Sequence, residues 1–195
     1  MKQKIILFLF SLVFIAACKK SDDSETTPAA TGNNISVTID GQAKKFVSNS
    51  NGYSTFAFVN KSGTSAAYLS RTAKQNSGVD PNSITFSKGL MTLPSSGAKI
   101  ADSTFFNYFN TGTYVYAGPS GNGVVVTYVD SDGKQWSTLL GSQGGGYFAI
   151  NKKTTRFTTG KAYVDAQGDF SCKLYDSNGS FKTCTGSYFT VFANE

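Results

Sequence analysis

Residues 125–140 read VVTYVDSDGKQWSTLL, an alternating apolar run, a four-residue turn signal and a second run. The punctuation is Asp130-Ser131-Asp132-Gly133. In a three-residue hairpin loop a type I turn is followed by glycine in the left-handed region, forming a G1 bulge. That register opposes Asp130 to Lys134, Tyr128 to Trp136 and Val126 to Thr138. An aromatic cross-strand pair contributes about 0.2–1 kcal/mol over an Ala–Ala pair. The stretch therefore predicts antiparallel sheet.

The same signal recurs downstream as Asp165-Ala166-Gln167-Gly168 and Asp176-Ser177-Asn178-Gly179. At the last of these the rule opposes Asp176 to Ser180 and, four residues further out, Cys172 to Cys184. Opposed residues have Cα atoms about 4.5–5.5 Å apart, a separation that a disulfide accepts. Closing a loop of about 13 residues would stabilise by about 3 kcal/mol in the chain-entropy account. The pair reads as a disulfide, the alternative being two reduced, buried thiols.

Upstream, residues 35–39 alternate and meet Asp40-Gly41. Both positions of a two-residue hairpin turn need positive φ, which Asp-Gly supplies, so the first strand should pair with residues 44–48. Further strands are predicted at 53–59, 66–71, 84–86, 90–93, 114–116 and 187–192. Asp80-Pro81-Asn82 marks one turn, and Lys88-Gly89 should separate residues 84–86 from 90–93. One stretch, 102–109, reads as a short helix: Asp102 can cap it, Phe105, Phe106 and Phe109 share a side, and Gly112 follows. About a dozen short strands with regular turns indicate an all-β chain, either a single antiparallel β-sandwich or a curled sheet. Sixteen Phe, ten Tyr and twenty Gly against four Pro agree with that class.

Residues 1–17 have Lys2 and Lys4 ahead of an apolar run that ends Ile15-Ala16-Ala17. This pattern describes a secretory signal rather than a membrane span, since thirteen helical residues reach only about 20 Å against a hydrocarbon core of about 30 Å. With Cys18 next, the segment resembles a bacterial lipobox. The resemblance implies cleavage before Cys18, lipidation of its sulfur and acylation of the new amino terminus. Several acyl chains hold a protein stably where one holds it marginally. Residues 18–34 are polar, with Pro28 and Gly32, and read as a disordered tether. Lysines followed by acids at 19–25 resemble the surface-export signal of Bacteroidetes lipoproteins, the plain alternative being a solubilising spacer. The expected organisation is thus a signal peptide (1–17), a lipidated tether (18–34) and one β-rich domain (35–195), with the membrane as partner through the anchor.

Two strings, VVTYVDSDGKQWSTLLGSQGGGYFAI and GDFSCKLYDSNGSFKTCTGSYF, together with VTIDGQ near the start, resemble a family of uncharacterised β-rich lipoproteins from Bacteroidetes. Its members share a DxDGxxW hairpin and a closing FxCxLYD hairpin. The resemblance implies a β fold and an outer-membrane address, and it assigns no activity.

The chain has no histidine. That removes the commonest general base, the Ser-His and Cys-His nucleophile pairs and the commonest transition-metal ligand. Asp40, Asp80, Asp130, Asp132, Asp165 and Asp176 sit at turn positions, which leaves little for a carboxylate pair of the glycosidase kind. Residues 141–146 are glycine-rich, but no Lys-Ser or Lys-Thr follows and a strand comes next, so they read as a sheet connection rather than a phosphate loop. Two Ser-x-x-Lys matches, at Ser96 and Ser131, lack their companion motifs. Asp130 and Asp132 offer two oxygen ligands where calcium needs six or more. No catalytic residue, cofactor or metal is expected. The formal charge of +6 falls to +4 without Lys2 and Lys4, and the remaining lysines are scattered, so nucleic acid is not an expected partner. Recognition is left to aromatic side chains: Trp136, Tyr128 and Tyr147 are candidates for stacking on a ligand, though most aromatics in a β domain are core. The expectation is a non-catalytic, lipid-anchored domain binding a glycan or another protein. The alternatives are an accessory subunit of an outer-membrane complex and, more remotely, a hydrolase.

Overall fold

A computed structural model describes residues 32–75, 80–118, 120–158 and 160–195. The expected signal peptide, Cys18 and nearly all of the expected tether lie outside the described residues. Among the described residues eleven strands form one antiparallel sheet curled into a half-barrel, with a single short α-helix. Of the two all-β architectures expected, the structure is the curled sheet.

Strand β1 (Asn34–Ile39) turns into β2 (Gln42–Val47) at Asp40 and Gly41, whose φ values are +47° and +77°. Both turn residues adopt the positive φ that Asp-Gly predicts. β3 (Ser54–Ser62), β4 (Ser65–Ala73) and β5 (Ser83–Thr92) form a meander. Lys88-Gly89 does not divide β5, which runs through both residues to Thr92. Helix α1 (Asp102–Tyr108) follows, then β6 (Gly112–Tyr114), β7 (Gly123–Val129), β8 (Gln135–Ser137) and a 3-10 turn (Thr138–Leu140). The long strands β9 (Tyr147–Thr158), β10 (Lys161–Tyr175) and β11 (Phe181–Asn194) complete the chain. The sheet order is β2-β1-β11-β10-β8-β7-β5-β4-β3, with β9 beside β10 and β6 beside β9.

Tyr128 opposes Trp136 and Cys172 opposes Cys184, as the turn rule requires. Val126 and Thr138 do not form a strand pair; the Val126 N–H donates to the Thr138 hydroxyl at 3.0 Å, where the chain leaves β8 for the 3-10 turn. The larger correction is at residues 165–168, which lie inside β10 rather than at a turn. Gly168 is there for close approach: a Cβ on it would sit 1.8 Å from the Ala149 carbonyl oxygen. Asp165 accordingly has no turn role and instead accepts from Arg156 Nε at 3.0 Å.

Phe86, Phe148, Phe170 and Tyr188 pack in the barrel interior, with Phe148 and Tyr188 stacked at 4.9 Å. Helix α1 plugs one end. Its fully buried Phe105 and the adjoining Phe109 lie 5.0 and 5.9 Å from the Tyr68 ring, and Phe109 stacks on Phe192 at 4.4 Å. Asp102 does not cap this helix; Ala101 occupies the cap, and the Asp102 carboxylate accepts from Asn194 Nδ2 at 2.7 Å. Beyond the start of β1 the sheet is drawn together by side chains, with a Ser70–Thr190 hydroxyl bond of 2.5 Å and a Tyr68–Asn194 bond of 3.4 Å. On its far side β9 pairs with β6 only at residues 148–150, so residues 151–158 form an edge without a strand partner among the described residues.

Candidate functional site

Two of the three aromatic residues singled out for stacking are withdrawn from the surface. Tyr128 is buried in the core, its ring 6.4 Å from Phe46. Trp136 is also buried, and the ammonium groups of Lys134 and Lys182 lie 4.5 and 4.3 Å from its ring centre. Its indole N–H donates to Asp130 Oδ2 at 2.9 Å. Only Tyr147 is exposed, so the three make no common face.

The residues around Trp136 form a structural lock. Asp130 Oδ1 accepts from the N–H groups of Asp132 and Lys134, and Asp176 Oδ1 accepts from those of Asn178 and Ser180. Lys134 then reaches across to Asp176 Oδ2 at 2.6 Å, and Lys182 to Asp130 Oδ2 at 3.9 Å. Burial pushes the Asp130 carboxyl upward, but hydrogen bonds from Trp136 and the two backbone N–H groups outweigh it and hold the group below the usual range. Asp176 is lowered chiefly by its bond to Lys134. Two hairpins are fastened to each other through their turn carboxylates. Among the described residues no three His, Cys, Asp or Glu side chains gather closely enough to hold a metal ion.

Cys172 and Cys184 face each other in register as buried free thiols. The Cys184 thiol is pushed far up by its contact with Cys172 and by burial, so it carries no thiolate chemistry in this state.

Next to the lock lies a cleft of about 550 Å³, bordered by residues 115–118 on one side and 139–146 on the other. The glycine-rich sheet connection at residues 141–146 forms one wall, and its shape is fixed by two side chains. Gln143 Nε2 donates to the carbonyls of Thr138, Gly141 and Lys173, while its Oε1 accepts from the Lys173 N–H at 2.9 Å. The amide thus stands in for a strand neighbour of β10. Tyr175 donates to the Ser142 carbonyl at 2.7 Å, and its ring lies so close to Gly141 that a Cβ there would be 2.6 Å away. On the opposite wall the Tyr116 hydroxyl donates to the carbonyls of Tyr147 and Ser171. The cleft is built and held.

Its rim is apolar. Val115 is 77% exposed, Leu140 51% and Leu139 42%. The chain matches no protein-family model, no curated protein and no solved structure. The site is therefore characterised by its own geometry. The sequence gives no sign of it, because Val115, Leu139 and Leu140 lie in segments whose apolar residues would ordinarily turn inward.

Beyond the cleft, Lys88 is buried with its Nζ 3.2 Å from the Tyr108 ring centre and 4.4 Å from that of Tyr114. Among the described residues no carboxylate pairs with it, and burial lowers its pKa to about 8. The Tyr108 hydroxyl has no hydrogen-bond partner among the described residues.

Proposed function

We propose that the chain is a non-catalytic binding domain, anchored to the outer membrane through a lipid on Cys18, whose apolar cleft receives a segment of an envelope or extracellular protein. The observation that carries this reading is the exposure of Val115, Leu139 and Leu140 around a cleft whose walls are already fixed. Exposed apolar side chains grouped at a concave site mark contact surfaces, and a preformed site avoids part of the ordering cost of association. The withdrawal of Tyr128 and Trp136 removes the broad aromatic face that a sugar-stacking role for those residues would need. A hydrolase would need free convergent carboxylates, whereas Asp130 and Asp176 are engaged by backbone N–H groups and lysines. The same surface would also serve an accessory subunit of an outer-membrane complex, the difference being the lifetime of the contact.

The test is a photo-crosslinking residue at position 140 in cells that carry the full chain. One discrete protein adduct is expected, and Val115→Asp should abolish it without moving the melting temperature. An exposed substitution of this kind changes stability by about 0.5 kcal/mol or less, whereas loss of an interface anchor costs about 2 kcal/mol of binding or more. An adduct that survives Val115→Asp, or no adduct at all, would overturn the proposal.

A further inference from the structure

The outer face of the long strands holds a second concavity, of about 410 Å³, with a different chemistry. It is assembled from four strands: Asn34 on β1, Asn151 on β9, Gln167 and Asp169 on β10, and Ser187 and Phe189 on β11. What creates it is a β-bulge. Gln167 pairs with Lys152 and Gly168 with Ile150, so Asn151 is the extra residue of β9. Bulges recur where a strand must re-aim a side chain, and here the Asn151 amide donates to the Asp169 carboxylate. The bulge depends on Gly168, since a side chain there would collide with the Ala149 carbonyl. Tyr147, diagonally across from Asp169, is 41% exposed, and that carboxylate raises the pKa of its hydroxyl. Phe189 lines the groove beside a row of amide, carboxylate and hydroxyl groups, and Tyr147 lies further along the same face of the sheet, outside that lining.

We infer that this groove is a binding site for a neutral oligosaccharide. Planar amides and carboxylates offer two hydrogen-bonding atoms side by side, which suits adjacent sugar hydroxyls, and aromatic rings suit the C–H faces of pyranoses. From Tyr147 to Phe189 is two strand spacings across and four residues along, a diagonal of about 16 Å, on the order of three pyranose rings. Asp169 and Lys152 carry opposite charges in the same groove, which favours an uncharged ligand over a uronate or an amino sugar. The groove is lined by residues other than those of the apolar cleft, so the two readings stand or fall separately.

The experiment is calorimetric titration of the full chain, in detergent, with cellohexaose, laminarihexaose, mannohexaose and maltohexaose, and with polygalacturonate as the acidic comparator. At least one neutral hexaose should bind. Asp169→Ala and Gln167→Ala should each weaken it about tenfold or more, the scale of a lost hydrogen bond in a charged network. Tyr147→Phe should weaken it less than Tyr147→Ala. Val115→Asp should leave it unchanged, and the melting temperatures should hold throughout. Absence of binding by all four sugars, tighter binding of polygalacturonate, or groove variants that bind like the parent chain would each overturn the assignment.

Discussion

Lys88 shows how one side chain can set a pH dependence for the whole fold. In the unfolded chain a lysine titrates near 10.5, and burial against Tyr108 and Tyr114 brings Lys88 down to about 8. The aromatic faces favour the cation and oppose part of that shift. Between the two values the unfolded chain binds a proton that the folded chain does not. Stability should therefore rise as the pH goes from about 8 towards 10.5, with the full penalty present below 8. Urea unfolding at pH 7 and pH 9.5 should show this gain, and Lys88→Met should abolish it while raising stability at pH 7. An unchanged midpoint across that range would contradict the assignment. Other single residues mark the limits of sequence reading. Asp102 has the chemistry of a helix cap, yet its carboxylate goes to Asn194, 92 residues away, a partner that no local pattern reveals. Trp136 has the chemistry of a stacking platform, but two lysines from different hairpins close over its ring.

At the scale of elements, the hairpins whose turns match a single turn chemistry were legible down to their register. Asp40-Gly41, Asp130 to Gly133 and Asp176 to Gly179 each specify which residues face each other. Asp165 to Gly168 has the same letters and a different use, because the glycine answers a steric demand from β9 rather than a turn. The register of β10 and β11 carries a chemical prediction. Cys172 and Cys184 stand opposed and buried. Protein produced in an oxidising compartment with Cys18 replaced by Ala should therefore yield no free thiol on denaturation and two after reduction. That bridge should add about 3 kcal/mol. Two reactive thiols in the unreduced, denatured protein would show that the pair stays reduced. The outer groove was not legible at all, since its residues run from Asn34 to Phe189 and only the sheet order brings them together.

For the whole molecule, the strand and turn pattern with the composition indicated the class of fold, while the choice between sandwich and curled sheet depended on long-range pairing of β1 with β11 and β5 with β7. The address proposed for the molecule rests on Cys18, outside the described residues. Cys18→Ala should abolish labelling by radioactive palmitate and release the domain from the membrane fraction; labelling that persists would remove the anchor. Protease added to intact cells would then tell which face of the outer membrane the domain occupies.

The outer edge of β9 over residues 151–158, whose other side pairs with β10, has a bearing on self-association. This edge, rich in Thr and carrying a largely exposed Phe157 whose ring packs 5.3 Å from Phe106, is a template on which a second chain could add. If Cys18 carries the proposed anchor, copies would meet edge against edge in two dimensions. Lys152 and Lys153 place positive charge along that margin, while Arg156 is paired with Asp165. Two copies approaching there would confront like with like, which opposes strand addition along that edge.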